Sequence, residues 1–504
     1  MFLKNKIASL ILVATIIRCI IALTIDLGND EVYYINYAHH LQWNYFDHPP
    51  MVALLIKLTT LNLEITSDFF IRLGSIILAA FNTYLIYLIT KKIKNEKSGL
   101  IAALLFTSSI YSSIIAGIFI MPDAPQLFFW ICCLYFQINI ITSSEDSKTV
   151  NQNLLFFGIC TGLCIMSKVH GVFLWFGFGL YILFYDRKKL LNPYLYLAIL
   201  LSILIVSPIL FWNINNDFIT YSFHSNRVAI NRGINIDSFL REFLGGAMYN
   251  NPLNYFLIGT ALIAVWKNKI YLKVIYTRLF LLQSLPLILI LLFVSLFRDT
   301  LPHWSGPGFI ALIILTACYL SDIKTKLGKV VFYAIYLIVA ISFIGILAIN
   351  FYPGTFGSKN EDTLGQGDVT LDMYDWDYFK TEFNKIHEKN RAEKRISTNF
   401  IINNKWFPGS HIDNYIAQPL ELNFVALGTL GDIHTYDWLN KYRPSLKKGD
   451  NAYFITVSNN FSNPNEIYRT KFKKVNTPTI IKQYRNNKPT RNMLVYLMED
   501  YIGK

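Results

Sequence analysis

The stretch DEVYYINYAHHLQWNYFDHPP, residues 30–50, follows the first long apolar run of the chain and determines how the remainder is interpreted. It places the acidic pair Asp30-Glu31, and then the motif Asp47-His48-Pro49-Pro50, among aromatic side chains. Charged groups beside a membrane-spanning segment are costly to place and are usually functional. The stretch therefore marks the loop 26–68 as a segment that carries chemistry.

The composition predicts a polytopic membrane protein. The 504 residues are 53% hydrophobic, and the apolar residues are gathered in long runs instead of being spread as in a soluble enzyme. Some runs are shorter than the roughly 20 residues that cross the hydrocarbon upright, so their ends need snorkelling side chains or local thinning of the bilayer. We expect a mainly α-helical fold with about eleven spans, at residues 7–25, 69–90, 99–121, 126–142, 154–168, 171–185, 193–213, 253–266, 276–297, 307–321 and 330–350.

The basic residues predict the orientation of these spans. Every second loop is rich in lysine and arginine, and such loops stay in the cytoplasm. The N-terminus is then cytoplasmic, and an odd number of spans places the C-terminus outside the cytoplasm. The membrane concerned is expected to be the inner (plasma) membrane of the cell. The net charge of +13 mostly reflects this asymmetry, so it does not favour nucleic-acid binding. The residues concerned are Lys4, Lys6, Lys91, Lys92, Lys94, Lys97, Arg187, Lys188, Lys189, Lys267, Lys269, Lys273, Lys324, Lys326 and Lys329.

The chain divides by composition into two parts. Residues 1–350 form the predicted transmembrane domain, with outer-face loops at 26–68 and 214–252. Residues 351–504 are more polar and alternate helical and strand patterns, which indicates an extracytoplasmic α/β domain. Its predicted helices are 376–391 and 435–441, and its predicted strands are 423–430, 451–457, 479–483 and 492–498.

The first loop has its own helical pattern. Apolar and aromatic residues recur at helical spacing over 31–43 and 51–63, with Pro49-Pro50 between them. Two short helices lying along the membrane surface would place Asp30 and Asp47 at the interface.

Several motifs together resemble those of a known family. The acidic motifs of residues 30–50 are similar to the first extracytoplasmic loop of bacterial glycosyltransferases related to the protein mannosyltransferases and the lipid A aminoarabinose transferases. Met121-Pro122-Asp123-Ala124-Pro125 and Ser167-Lys168 also match this glycosyltransferase family 39 pattern, and the resemblance covers about residues 1–350. It implies the GT-C fold and transfer of a sugar from a polyprenyl-phosphate carrier to an acceptor outside the cytoplasm.

The resemblance assigns the catalytic acids. It implies that Asp30 is the general base that activates an acceptor hydroxyl. Displacement of the carrier phosphate by this hydroxyl inverts the anomeric centre of the sugar. Glu31 and Asp47 are the further catalytic candidates. Capping of a helix is the alternative role for Asp30 and Asp47, and an ordinary place in a first helical turn is the alternative for Glu31.

The substrate-binding candidates are cationic or polar groups at the outer ends of spans. Arg227 suits a phosphate because a guanidinium binds bidentately. Lys168 suits it too, although a snorkelling anchor is the alternative. His48 stands where relatives often carry lysine, and a neutral imidazole binds phosphate only weakly. The remaining candidates implied by the resemblance are Asp123 and His303.

A divalent metal is the cofactor candidate, since some relatives of this fold use one near the donor. His224 and Asp47 are the residues proposed to hold it, and two ligands are a weak pattern. The sequence has no Walker P-loop and no Rossmann glycine fingerprint for a nucleotide-sugar donor.

Two other functions remain open. A transporter or flippase of lipid-linked glycans would also need many spans with embedded charges, and a glycan polymerase or ligase would use a diphosphate-linked donor. The expected partners are a polyprenyl-phosphate-linked sugar, the bilayer, and an acceptor that is lipid A, a protein or a surface glycan.

Overall fold

A computed structural model describes residues 2–143, 147–228, 233–323, 327–393, 396 and 399–503. Residues 229–232 of the predicted loop 214–252, and the basic residues Lys324 and Lys326, lie outside the described residues. The chain is mainly helical up to residue 351. Its helices there are α1 (Phe2–Thr24), α2 (Asn29–His39), α3 (Met51–Thr59), α4 (Asp68–Ile93), α5 (Glu96–Ser108), α6 (Asp123–Thr142), α7 (Lys148–Ser167), α8 (Val172–Tyr185), α9 (Pro193–Ile214), α10 (Ile219–Val228), α11 (Ile236–Tyr249), α12 (Pro252–Trp266), α13 (Val274–Ser295), α14 (Gly306–Asp322) and α15 (Leu327–Phe351).

Hydropathy identified the membrane-spanning helices well. Among the described residues, eight helices are long and apolar enough to cross a membrane, and Val169–Tyr185 and Pro252–Trp266 are shorter apolar helices. These ten match ten of the eleven predicted spans, and the polytopic fold is confirmed. The eight are Lys6–Thr24, Asp68–Ile93, Asp123–Thr142, Lys148–Ser167, Pro193–Ile214, Val274–Ser295, Pro302–Asp322 and Leu327–Phe351.

The remaining predicted span, 99–121, is interrupted. Helix α5 ends at Ser108, Ser109 is extended, and a π-helical turn follows at Tyr111–Ile115. The Ser108 hydroxyl donates to the Leu105 carbonyl at 3.0 Å. Serine side chains compete with the helical ladder in this way, so a run of serines breaks a segment that hydropathy alone presents as continuous.

The chain forms two compact units whose bounds differ from the predicted division at residue 350. One unit comprises residues 1–22 and 41–342, and the other comprises 23–40 and 343–504. We call them the membrane unit and the C-terminal unit. The difference arises because α2, in the first loop, packs with the C-terminal part of the chain.

Helix α2, which the sequence predicts to lie along the membrane surface, packs with the rest of the C-terminal unit. All eight residues from Glu31 to Ala38 are buried. The ring of Tyr33 lies 5.2 Å from that of Trp406, and the Leu27 amide donates to the Tyr415 hydroxyl at 2.8 Å. The aromatic residues of α2, which would also suit a membrane interface, form part of the core of the C-terminal unit.

The membrane unit has one large apolar core. Phe157 of α7 lies at its centre, with ring centroids 4.7 Å from Trp175 and 5.0 Å from Phe178. A Cβ at Gly158 would collide with the backbone of Ala198 in α9. Glycine is therefore what allows α7 and α9 to approach closely, as small residues do between membrane helices.

The C-terminal unit contains a mixed six-stranded sheet, which confirms the predicted α/β domain. Its order is β2-β1-β3-β6-β4, with β5 also paired to β6. Strands β1, β2 and β3 are parallel, and β6 is antiparallel to β3, β4 and β5. The strands are β1 (Phe400–Asn403), β2 (Asn423–Ala426), β3 (Ala452–Val457), β4 (Phe472–Val475), β5 (Thr479–Arg485) and β6 (Lys488–Tyr501), and the helices are α16 (Trp376–Ala392), α17 (Trp406–Ile412), α18 (Leu430–Ile433), α19 (Tyr436–Leu439) and α20 (Pro464–Ile467).

Candidate functional site

The segment that carries Asp47 and His48 is fixed in a defined turn of the membrane unit. The Tyr45 amide donates to the His48 carbonyl at 3.2 Å. Thr220, the second residue of α10, receives a hydrogen bond from Asn44 and donates to the Tyr45 carbonyl, each at 2.9 Å. The second proline then leads directly into α3. The acidic motif is thereby held against the helix that carries His224 and Arg227.

His224 and Asp47 are neighbours, as the sequence predicted, but through the backbone. The Nε2 of His224 lies 2.8 Å from the Asp47 carbonyl oxygen. A carbonyl only accepts, so Nε2 carries the proton and Nδ1 is the remaining ring nitrogen. Burial is the main cause that lowers the pKa of His224, which favours the neutral ring.

The fit of these residues to a metal is weak. Among residues 2–143, 147–228, 233–323, 327–393, 396 and 399–503, no group of three or more His, Cys, Asp or Glu side chains is placed to hold an ion. The Nε2 of His224 is already engaged by a carbonyl oxygen. The metal site formed by His224 and Asp47 stays a prediction, and the chemistry proposed below has no step through it.

Asp123 and Lys168 form a buried ion pair. Lys168 Nζ lies 2.8 Å from Asp123 Oδ2, and the side chains are only 5% and 1% exposed. The Tyr111 hydroxyl donates to the other carboxylate oxygen at 3.2 Å. The Lys168 ammonium group is thus engaged by a buried carboxylate, an arrangement that favours a site role over a snorkelling anchor.

His48 lies within the electrostatic field of this pair. Its pKa is well below the ordinary value, first because of burial and then because the neighbouring Lys168, His224, Arg227 and His170 disfavour a positive charge on the ring. The ring is therefore neutral near pH 7. This environment favours a neutral hydrogen-bonding role for His48 over a cationic one.

Arg227 lies on an aromatic platform. Its guanidinium carbon is 5.0 Å from the ring of Phe223 and 5.5 Å from that of Trp304, distances at which a cation is attracted to an aromatic face. The side chain is exposed. A guanidinium held by its face keeps its in-plane N–H donors directed outwards, which is the geometry that a phosphate requires.

His303 joins the same neighbourhood. It lies in the 3₁₀ turn Pro302–Ser305, 5.9 Å from the ring of Tyr249 and within electrostatic range of Asp123 and Lys168. The membrane unit thus collects in one cluster all the predicted site residues that belong to it. We call this the cation cluster: Asp47, His48, Asp123, Lys168, His224, Arg227 and His303.

Two residues beside the cation cluster were missed by the sequence analysis. His170 lies 5.8 Å from the ring of Trp304, and its Nδ1 is buried without a hydrogen-bond partner among the described residues. Tyr111 completes the environment of Asp123. The proximity of His170 to Lys168 in the sequence was the available indication, whereas nothing local marks Tyr111.

Asp30 and Glu31 belong to the C-terminal unit and differ sharply in environment. Glu31 is 2% exposed, and its carboxylate accepts the Gly28 amide at 2.8 Å. This contact secures the start of α2, whose N-cap is Gly28. Asp30 is exposed in the first turn and is not the N-cap, so the capping alternative for Asp30 is wrong.

The start of α2 is anchored on both sides. Asn29 donates to Asp372 at 2.8 Å, and burial raises the pKa of that carboxyl to about 6. The Trp376 amide donates to Asp26 at 2.8 Å. The turn that presents Asp30 is therefore held by hydrogen bonds to neighbouring segments, as a preorganised catalytic group requires.

The fold and these sites define a class of membrane protein. Residues 47–212 match the family model described as dolichyl-phosphate-mannose-protein mannosyltransferase. No curated protein matches the chain in sequence.

Solved structures agree with this class. The chain is similar to ArnT from Cupriavidus metallidurans bound to undecaprenyl phosphate, with a TM-score of 0.64, 11% identity and 98% of each chain covered. It is also similar to the apo state of that protein, with a TM-score of 0.62 and the same identity and coverage. The chain has the GT-C glycosyltransferase fold, which confirms the expectation drawn from its motifs.

Proposed function

We propose that the chain is an integral-membrane, inverting glycosyltransferase that uses a polyprenyl-phosphate-linked sugar. The acceptor is extracytoplasmic: lipid A, a protein or a surface glycan. In this proposal the chain lies in the inner membrane with a cytoplasmic N-terminus, and the site and the C-terminal unit face outwards. The observation that carries it is the cation cluster, which gathers Arg227, Lys168 and three histidines in the membrane unit.

The cluster suits a phosphate leaving group. Arg227 offers a fork of N–H donors from its aromatic platform, and Lys168 adds a charge tempered by Asp123. Such groups stabilise negative charge as it develops on the departing phosphate. Undecaprenyl phosphate, the lipid in the similar ArnT structure, has this head group.

The reaction needs one proton acceptor. The oxygen of an acceptor hydroxyl attacks the anomeric carbon, the bond from that carbon to the phosphate oxygen breaks, and the polyprenyl phosphate leaves with the electron pair. The hydroxyl proton passes to Asp30, whose exposed carboxylate is accessible to a substrate. Attack opposite the leaving group inverts the anomeric centre.

The donor is tested by thermal stability of the purified protein with undecaprenyl phosphate, undecaprenyl diphosphate and neither lipid. At one hundred times its dissociation constant, a ligand stabilises the native state by about 2.7 kcal/mol. We expect stabilisation selective for the monophosphate, weakened by Arg227→Ala. The matched control is Arg241→Ala, because Arg241 is an exposed arginine paired with Asp299.

Other outcomes identify the competing functions. Preference for the diphosphate would replace the proposal by a polymerase or ligase. No stabilisation by either lipid would refute the donor assignment. Movement of a lipid-linked sugar across vesicles without a new glycosidic bond would establish a flippase.

The base is tested by Asp30→Asn in a transfer assay. We expect loss of transfer with unchanged stability, because the side chain is exposed. Asp237→Asn is the matched control, since Asp237 is also an exposed acid one residue after the first residue of its helix. Substantial transfer by a folded Asp30→Asn protein would remove Asp30 from this role.

A further inference from the structure

A buried carboxyl on α11 has no role in the chemistry proposed above. Glu242 is 2% exposed, and it shares the buried face of the helix with Ser238 and Gly246, each one turn away. A carboxyl is seldom buried in this way unless it is paired or hydrogen-bonded. Its partners therefore indicate its role.

The buried face of α11 runs alongside the segment 296–302. The Ser238 hydroxyl donates to the Arg298 carbonyl at 2.7 Å. Further along the helix, a Cβ at Gly245 would collide with the ring of Pro302. The helix is thus packed closely against the chain that leads into the 3₁₀ turn of the cation cluster.

Glu242 lies between these two contacts and holds the turn by hydrogen bonds. Its Oε2 accepts the Thr300 hydroxyl at 2.7 Å, and Ser305 is a second hydrogen-bonding neighbour of the carboxyl. Thr300 precedes the turn, and Ser305 is its last residue. One carboxyl thereby fixes the chain on both sides of His303 and Trp304.

Trp304 is the residue of this turn that supports a phosphate-binding cation. Its ring lies 5.5 Å from the guanidinium carbon of Arg227 and 5.8 Å from the ring of His170. Arg227 is carried by α10 and Trp304 by the turn, so their contact depends on where the turn is held. Displacement of a positioning group by about 1 Å weakens a site strongly.

We propose that Glu242 is a positioning residue of the phosphate site: it holds the turn Pro302–Ser305 so that the ring of Trp304 supports the guanidinium of Arg227. The inference rests on the proposed function for the identity of the phosphate ligand. The contact between ring and guanidinium can be tested without any ligand.

The hydrogen-bond acceptor of Glu242, and not its charge, is what this role requires. Burial raises the pKa of Glu242, which favours the uncharged carboxyl. Glu242→Gln keeps a carbonyl acceptor in an uncharged side chain of similar size, whereas Glu242→Met removes the acceptor and leaves the Thr300 hydroxyl without it. We therefore expect the first variant to behave like the wild type and the second to weaken the site.

The first measurement is fluorine NMR of the full-length protein in detergent, labelled with a fluorinated tryptophan. The Trp304 resonance is assigned by its loss in Trp304→Phe. We expect Glu242→Met and Thr300→Val to shift this resonance, as Arg227→Ala does, and Glu242→Gln to leave it in place. Asp237→Met is the matched control, because Asp237 is an exposed acid on the same helix.

The second measurement is the affinity of the same proteins for undecaprenyl phosphate. We expect Glu242→Met and Thr300→Val each to weaken binding about three- to tenfold, the usual range for one neutral hydrogen bond. Glu242→Gln should bind like the wild type. In an Arg227→Ala background, Glu242→Met should add no further loss, because its effect passes through that guanidinium.

Three results would overturn the inference: an unshifted Trp304 resonance in Glu242→Met and Thr300→Val, equal lipid affinity of the wild type and Glu242→Met, or a Glu242→Gln protein that binds as weakly as Glu242→Met. If Glu242→Met does not fold, Thr300→Val decides in its place. A wild-type protein that does not bind undecaprenyl phosphate refutes the proposed donor. Equal binding by the wild type and Glu242→Met leaves that donor in place and overturns this inference alone.

Discussion

Replacement of Lys168 by methionine should destabilise the membrane unit strongly. The ammonium group lies 2.8 Å from Asp123 Oδ2, where two unit charges attract by about 6 kcal/mol at an effective dielectric constant near 20. Desolvation of both groups offsets much of this attraction. Removal of one partner alone leaves a buried, uncompensated carboxylate, and this costs about 3–5 kcal/mol.

The assay is unfolding of the purified protein in mixed micelles titrated with SDS, applied to Lys168→Met, Asp123→Asn and the double variant. The double variant removes both charges, so we expect it to recover most of the stability lost by the single variants. Lys267→Met is the matched control at an exposed lysine, with an expected change within about 0.5 kcal/mol.

Two results would refute this reasoning. A loss below about 1 kcal/mol for Lys168→Met would mean that the lysine is not paired in a dry environment. A double variant as unstable as Lys168→Met would mean that the cost does not arise from the charge left on Asp123. If the double variant is stable but no longer responds to undecaprenyl phosphate, the pair serves binding as well as folding.

Three further predictions concern single sites. Burial raises the pKa of Asp372 to about 6, so the folded protein binds the proton more tightly than the unfolded chain and its stability falls as pH rises through about 4 to 6. Relative to Asp372→Asn, the loss of stability is on the order of 3 kcal/mol. Melting temperatures of the two proteins that change in parallel across this pH range would contradict it. Glu31→Ala should cost about 1 kcal/mol of stability because the contact with the Gly28 amide is lost, whereas Glu31→Gln keeps an acceptor oxygen. Thermal stability checks both variants. A stable Glu31→Gln protein without transfer activity would assign Glu31 to catalysis. Gly158→Val should force α7 away from Ala198 and lower the melting temperature, while Gly179→Val, where a Cβ meets nothing within 4 Å, should not.

The membrane fold could be predicted because hydropathy and basic loops are properties of local sequence. The interruption at Ser108 could not, since serine is tolerated in membrane helices and the break is visible only in the backbone, where Ser109 is extended. The C-terminal sheet was predicted in part: β1 and β4 have only four residues each, too few to give a clear alternating pattern.

The site was predicted as a set of residues but not as a set of contacts. The motifs of the membrane unit do meet in the cation cluster. Their pairing did not follow from the sequence, because Lys168 and Asp123 are 45 residues apart and no periodicity links them. The role of His48 depends on neighbours from two other segments, around Lys168 and around His224, so its neutral state became apparent only with the fold.

The acidic pair shows where motif and structure give different information. Successive residues on a helix are rotated by about 100°, so two adjacent acids point in different directions. The sequence names Asp30 as the base and Glu31 as a further candidate, and their burial separates them, because burial of α2 begins at Glu31. Glu31 is turned into the C-terminal unit and holds the Gly28 amide, while Asp30 is exposed. A general base must reach a substrate hydroxyl, and of the two only Asp30 has the accessibility to do so.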